Sequence, residues 1–201
     1  MLSTFLMDGR SKPQANDLAE KILARGALVT EADVLAVLSL WRFKSNTDRQ
    51  NVIPLGQEAV FSDTLGLVQS HDGRVVPTSS TRKYKHFSAL QCRYINDHIP
   101  QELERFVFSS ISVNYDYAAK VHRDSGNVGP SVATSLGPFV GGELLCWPHD
   151  DGMLSLEALS SFKSERVDTH SKLVLFDGTH AHAMAPYVGE RCSRLLYTCL
   201  I

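Results

Sequence analysis

No apolar run in the 201 residues approaches the roughly 20 that carry a helix across a bilayer, so no membrane association is expected. Net charge is close to balance, at −2, which offers no general attraction to a polyanion. Any nucleic acid would have to be met by a local patch. The four cysteines, Cys92, Cys146, Cys192 and Cys199, form no CxxC pair and show no framework spacing. A disulfide scaffold is thereby excluded, and a reducing intracellular compartment, nucleus or cytoplasm, fits free thiols best. The opening Met1-Leu-Ser-Thr-Phe-Leu-Met7 is too short for a signal-peptide core and has no basic start, which argues against export. Internal repeats and low-complexity tracts are also missing. What remains is a composition with 43% hydrophobic and 21% charged residues, enough for one domain, or one with a small helical annex, around a proper core.

The first hundred residues read as helical and mixed, a support region belonging to the same domain as the rest. Pro13 to Ala27 carries Leu18, Ile22 and Leu23 on one helical face, with Gly26 as a stop. Thr30-Glu-Ala-Asp33 is a capping box, and the helix it opens runs through Trp41. The second helix is almost wholly apolar beyond its first turn, so the pair reads as scaffold rather than as a DNA-reading helix-turn-helix. From Phe43 to Arg82 the texture is mixed, with turns at Ser45-Asn-Thr-Asp48 and His71-Asp-Gly-Arg74 around short apolar stretches. Thr78 to His86 is the most basic, hydroxyl-rich tract and reads as a solvated loop, with phosphate binding by Arg82, Lys83 and Lys85 as the alternative. A third helix is expected from Tyr84 to His98, ended by Pro100.

After Pro100 come short strand-like runs separated by Gly, Pro, Asn and Asp: 106–115, 131–136, 141–147, 172–176, 180–185 and 193–199. Helices first and many short strands after predict an α+β fold, helices buttressing a sandwich or jelly roll over residues 101–201.

The chemistry concentrates in two places. Asn114-Tyr-Asp-Tyr117-Ala-Ala-Lys-Val-His122-Arg-Asp124 is an alternating run ending in His-x-Asp, and His180-Ala-His182 lies far downstream. Two imidazoles and a carboxylate are the ligand set that binds Fe(II) on one face and leaves open positions. His-x-Asp also occurs at His149-Asp-Asp151, within a turn composition that would hold ligands loosely, whereas the first copy ends a rigid element. For the second histidine, periodicity leaves His180 and His182 on the same face and does not separate them. His170 lies in a polar stretch and reads as surface. Arg191-Cys-Ser193 puts a guanidinium and a hydroxyl on one strand face, suited to a carboxylate.

Together these residues resemble the 2-oxoglutarate- and Fe(II)-dependent dioxygenases with a double-stranded β-helix (jelly-roll, cupin-like) core, and more narrowly the branch of ten-eleven translocation and J-binding proteins. The likeness rests on Ser110 to Ser131, Gly141-Gly-Glu-Leu144, Leu175-Phe-Asp-Gly178, His182-Ala-Met-Ala-Pro-Tyr187 and Gly189-Glu-Arg-Cys-Ser193, in order, over about residues 105–200. The family pattern puts histidine six positions after the Phe of Phe-Asp-Gly and four before Pro, which is His182. The resemblance implies that His122, Asp124 and His182 hold iron. Arg191 and Ser193 would grip 2-oxoglutarate, with Asn114 and Tyr117 as further cofactor contacts. It implies dioxygen as cosubstrate, possible use of ascorbate, and a monomer. The implied substrate is the 5-methyl group of 5-methylcytosine or thymine in DNA or RNA, flipped into the pocket. Arg123, Asn127, His180 and Trp147 are then the candidate substrate contacts. A prolyl-type protein hydroxylase and a catalytically inactive β-helix binding module are the alternatives.

Overall fold

The computed structural model describes residues 8–70, 72–159 and 161–198. The opening heptapeptide, His71 of the expected turn and Cys199 lie outside the described residues. Helix α1 (Lys12–Ala24) starts where the Ser11 hydroxyl accepts the Gln14 amide, and Pro13 occupies the first turn, where its missing N–H costs nothing. Helix α2 (Glu31–Leu40) has the capping box expected of it: Thr30 accepts from the Asp33 amide and Asp33 from that of Thr30. Thr30→Ala removes an N-cap acceptor and should lower stability by about 1 kcal/mol, read from a urea midpoint that shifts with no change in slope. The basic tract is not a loop: Ser79–Lys83 forms the short helix α3, capped by Thr78, and α4 (Lys85–His98) follows directly. Hydroxyl-rich sequence reads as loop because Ser and Thr compete for the backbone; here Thr78 uses that property to start a helix.

Among the described residues, twelve strands form three antiparallel sheets. The largest runs in the order β1 (Ser45–Asn46), β2 (Val60–Gln69), β4 (Ser110–Tyr115), β12 (Cys192–Tyr197), β5 (Ser131–Leu136), β9 (Val174–Phe176), and β3 (Val75–Pro77) also pairs with β2. A second sheet joins β7 (Leu144–Cys146) to β10 (His182–Met184) and β8 (Glu165–Val167). A two-stranded ribbon pairs β6 (Phe139–Gly141) with β11 (Tyr187–Gly189). A one-turn helix α5 (Leu156–Leu159) follows β7.

Strand β2 draws the first hundred residues into the main sheet, where it pairs with β4 along six positions. Its sequence hides it: Ser62 and Asp63 are polar yet buried, and Gly66 takes φ +85°. A side chain at Gly66 would overlap the Ser109 carbonyl, so glycine is required for the close approach.

The sheet has two unlike faces, set by strand alternation. Ile111, Val113, Tyr115, Val132, Leu136, Cys192 and Leu196 pack with the helices in one core cluster, where Trp41 stacks on Phe87 at 3.7 Å. The opposite face carries Ser112, Asn114, Ala133, Ser135, Ser193 and Leu195, and it fronts a cavity. Helices α1, α2 and α4 pack on one another as scaffold. No helix among the described residues is long and apolar enough to cross a membrane.

Candidate metal centre

His122 and His182 exchange backbone hydrogen bonds, each amide donating to the other's carbonyl at 3.0 Å, so two segments sixty residues apart in sequence are fixed side by side. The Asp124 amide donates to Gly178 O at 2.8 Å, tying the carboxylate to the turn before β10. His122, Asp124 and His182 then converge, with one ligand atom from each lying within 4.8 Å of the others. Nε2 of His122 and of His182 stand 3.6 and 3.7 Å from the two Asp124 oxygens. His180 is not in the group; its imidazole is over a third exposed and 3.8 Å from Asp177.

The donor chemistry suits a divalent ion. Each histidine presents Nδ1 to a backbone carbonyl, Lys120 O at 2.8 Å for His122 and His180 O at 2.9 Å for His182. A carbonyl accepts only, so Nδ1 carries the proton and the lone pair sits on Nε2, facing Asp124. Burial, then the neighbouring His182, holds the His122 imidazole well below its ordinary pKa, so it stays neutral and able to ligate. The Phe176 ring meets His182 edge-on at 5.1 Å and walls the site. The residues present therefore fit a metal ion bound on one face by N, N and O donors.

The cavity beside this group contains a buried cation. Arg191 is 3% exposed; it hydrogen-bonds the Ser135 hydroxyl, lies 3.7 Å from the Met184 sulfur, and leaves its Nε without a partner. No carboxylate pairs with it among the described residues. Burial lowers its pKa to about 10, so it remains a cation at neutral pH. Ser193 and Asn114 line the same cavity and meet at 3.4 Å. Tyr117 donates to Asn114 Oδ1 at 3.0 Å, and burial raises its pKa and keeps the phenol neutral.

On the Asp124 side lies a second, polar chamber lined by Arg49, Asn51, Thr64, Ser112, Asn127 and Tyr197. Asn127 reaches Ser131 at 3.2 Å and Asp124 at 3.5 Å. Arg49 borders both cavities and makes only long contacts, 3.3–3.5 Å, to neutral oxygens of Ser62, Ser112, Asn114 and Tyr117.

Other sequence candidates are placed differently. Arg123 borders the polar chamber beside Asp124, but its fork is taken by Asp150 at 2.6 Å on both arms. Trp147 is buried against Leu159, Ala181 and Ala183 and donates to Leu159 O and Phe162 O, so it anchors the chain after β7 and does not offer a face for stacking. His170 is not loose surface: its Nε2 meets Gly137 O at 3.0 Å and its ring stacks on Phe139. Sequence reasoning did not find Arg49, Ser135 or Asp150. The first two carry no local pattern; the third sat inside the discounted Pro148-His-Asp-Asp-Gly152 turn.

No family model and no curated protein sequence matches the chain. Among solved structures it is similar to an oxidoreductase of the 2OG-Fe(II) oxygenase family from Burkholderia pseudomallei, at 16% identity over 87% of this chain and 77% of that one, with a TM-score of 0.49. It is similar to OsALKBH1 at 14% identity over 85% and 93%, TM-score 0.48. Similarity extends to NgTET1 in complex with 5mC DNA, at 13% identity over 69% of this chain and 60% of that one, TM-score 0.45. Scores below 0.5 at such identities leave the function to be decided by the residues of the site.

Proposed function

We propose that this chain is an Fe(II)- and 2-oxoglutarate-dependent oxygenase with a double-stranded β-helix core, and that it hydroxylates a C–H bond. One observation carries the reading: His122 and His182, which Asp124 joins in one donor group, line the same cavity as the buried Arg191, which has no carboxylate partner among the described residues. A metal ligand set alone suits many reactions, and a buried cation alone suits any anion. Side by side, they suit a dicarboxylate keto acid that chelates at one end and is gripped at the other.

Iron bound at the three donors supplies the electron-transfer chemistry that couples oxidation of 2-oxoglutarate to succinate and carbon dioxide with insertion of one oxygen atom of dioxygen into the substrate. The protein's part is positional. His122 and His182 are held as Nδ1–H tautomers by backbone carbonyls, so both Nε2 atoms are pre-aimed. Arg191 receives the distal carboxylate in a bidentate fork, with the Ser193 hydroxyl as a further donor. Phe176, Met184 and Ala183 wall that cavity with apolar surface, which strengthens the ion pair by lowering the local dielectric.

The substrate we propose is a 5-methylpyrimidine of DNA or RNA, flipped out of its stack. The polar chamber supports this choice over a prolyl ring. Arg49, Asn51, Asn127 and Thr64 offer donors and acceptors matched to a base edge, and Tyr197 adds an aromatic wall, where a proline would call for apolar lining.

The test is an anaerobic titration of Fe(II) and 2-oxoglutarate, watched for the visible charge-transfer band of the chelate. The band should appear and fade on admitting oxygen as succinate forms; a protein that takes up no iron is a binding module instead. Methylated oligonucleotides should then gain one oxygen by mass spectrometry, while a substrate found among prolyl peptides would move the reading to a protein hydroxylase. Asp124→Ala should weaken metal binding by more than the roughly 100-fold that outer-shell changes cost, with the melting transition of the metal-free protein kept. Retained turnover in that variant would remove Asp124 from the ligand set.

A further inference from the structure

We propose that Asp150 is the positioning residue of the metal centre, a buried carboxylate that locks the two ligand-bearing segments to each other. The proposal rests on the iron-binding reading above and assigns a role that the three ligands do not account for.

Asp150 occupies the turn after β7, and its side chain is fully buried while His149 and Asp151 on either side are exposed. Its Oδ2 accepts from Arg123 Nε at 2.6 Å and from the Ala181 amide at 2.7 Å. Its Oδ1 accepts from Arg123 Nη2 at 2.6 Å and from the Gly152 amide at 3.1 Å. These partners are informative by position. Arg123 stands between the ligands His122 and Asp124, and Ala181 immediately precedes the ligand His182. One carboxylate therefore grips both ligand segments through residues adjacent to the ligands. Arg123 also donates to Leu154 O at 2.9 Å, which extends the brace to the loop beyond β7.

The chemistry requires a carboxylate. All four groups aimed at Asp150 are donors, and the Arg123 fork matches two oxygens in one plane. The fork holds the carboxyl well below its ordinary range, so the charge persists at any pH at which the imidazoles can ligate. An asparagine of the same size has one oxygen and turns an NH2 toward donors on the other side. With its oxygen at the Oδ2 position it still serves Arg123 Nε and Ala181 but sets an NH2 against Arg123 Nη2 and the Gly152 amide; reversed, it loses Arg123 Nε and Ala181, so either way the fork is broken.

The brace is separable from folding. Strands β7 and β10 are already paired from Cys146–His182 to Leu144–Met184, and His122 and His182 already exchange backbone bonds. Arg123 is about a fifth exposed, so its guanidinium can swing to water when its partner is lost. What Asp150 adds is the aim of the ligands, the kind of outer support whose loss costs about 10–100-fold in metal affinity.

The experiment is anaerobic titration of Co(II), and separately Fe(II), into the wild type, Asp150→Asn and Arg123→Lys, followed by the Co(II) d–d spectrum and by circular dichroism. Asp150→Asn should fold cooperatively, bind metal about 10–100-fold more weakly, and show an altered d–d band. A general loss of stability would not change the band of the folded fraction. Arg123→Lys keeps the charge but not the fork, and should shift affinity in the same direction; it decides the matter if Asp150→Asn does not fold. Wild-type affinity and spectrum in whichever of these variants folds overturns this proposal alone. A wild type that takes up neither metal overturns the iron reading and this proposal together.

Discussion

Arg191→Met should raise the dissociation constant for 2-oxoglutarate by roughly 30-fold to several thousand-fold while leaving the ligand-free protein as stable as the wild type, or more so. The two expectations have one cause. The guanidinium is buried against Phe139, Tyr187 and Met184, with a single hydroxyl partner and an unbonded Nε. Folding must desolvate this cation without supplying a carboxylate, a cost of several kcal/mol that one hydroxyl and two ring faces offset only in part. Methionine fills a similar volume without that cost. The bound state inverts the balance: a carboxylate entering the pocket finds a bidentate donor in apolar surroundings, and removing one partner of such a pair typically costs about 2–5 kcal/mol. At about 1.4 kcal/mol per tenfold, that is roughly 30-fold to several thousand-fold in affinity. Isothermal titration of the metal-loaded, oxygen-free protein measures the first quantity and urea unfolding of the apo protein the second. A variant that loses stability and keeps its affinity would make Arg191 a structural residue.

Legibility of the site in the sequence followed the range of the interactions. The His-x-Asp pair, Arg191 and Ser193 were readable because strand alternation puts residues i and i+2 on one face, and the structure brings His122, Arg191 and Ser193 to one cavity, with Asp124 completing the donor group. The choice of His182 over His180 was not readable from alternation, since both share a parity. It is made by the bridge to His122, a contact across sixty residues. Two of the substrate candidates, Arg123 and Trp147, have bonding partners of their own that the sequence does not show. Each has a polar group that sequence reading assigns to solvent or ligand, and each spends it on the chain after β7. Strand β2 was missed because buried Ser62 and Asp63 break the alternation that marks a half-buried strand. Their burial is repaid by partners far away in sequence, from Lys12 and Trp41 to Ser80, which local pattern cannot show.

Asp63 ties the helical layer to the sheet, and Asp63→Ala should be strongly destabilising. Strand β2 carries Ser62 and Thr64 toward the cavities, so Asp63 between them faces the helices. There Oδ1 accepts from Lys12 Nζ at 2.7 Å and Ser80 Oγ at 3.1 Å, while Oδ2 accepts from Trp41 Nε1 at 2.9 Å and the Lys44 amide at 3.1 Å. One carboxylate thus joins α1, the end of α2, the residue before β1, and α3 to the sheet. Alanine leaves the Trp41 N–H, in a fully buried ring, and the Lys44 amide without acceptors, and strands the Lys12 ammonium over that ring. Breaking a buried, hydrogen-bonded charge pair costs about 3–5 kcal/mol. At roughly 2–4 °C per kcal/mol for a chain of this size, the melting temperature should fall by about 6–20 °C. Asp63→Asn keeps one acceptor and should lose about half as much. The site should suffer only through the fold: at a temperature where Asp63→Ala is still native, its affinity for metal and 2-oxoglutarate should match the wild type, since Asp63 points away from both cavities. A drop in affinity without a drop in melting temperature would show that the helical layer tunes the site directly, and that the sheet transmits strain from its back face to its front.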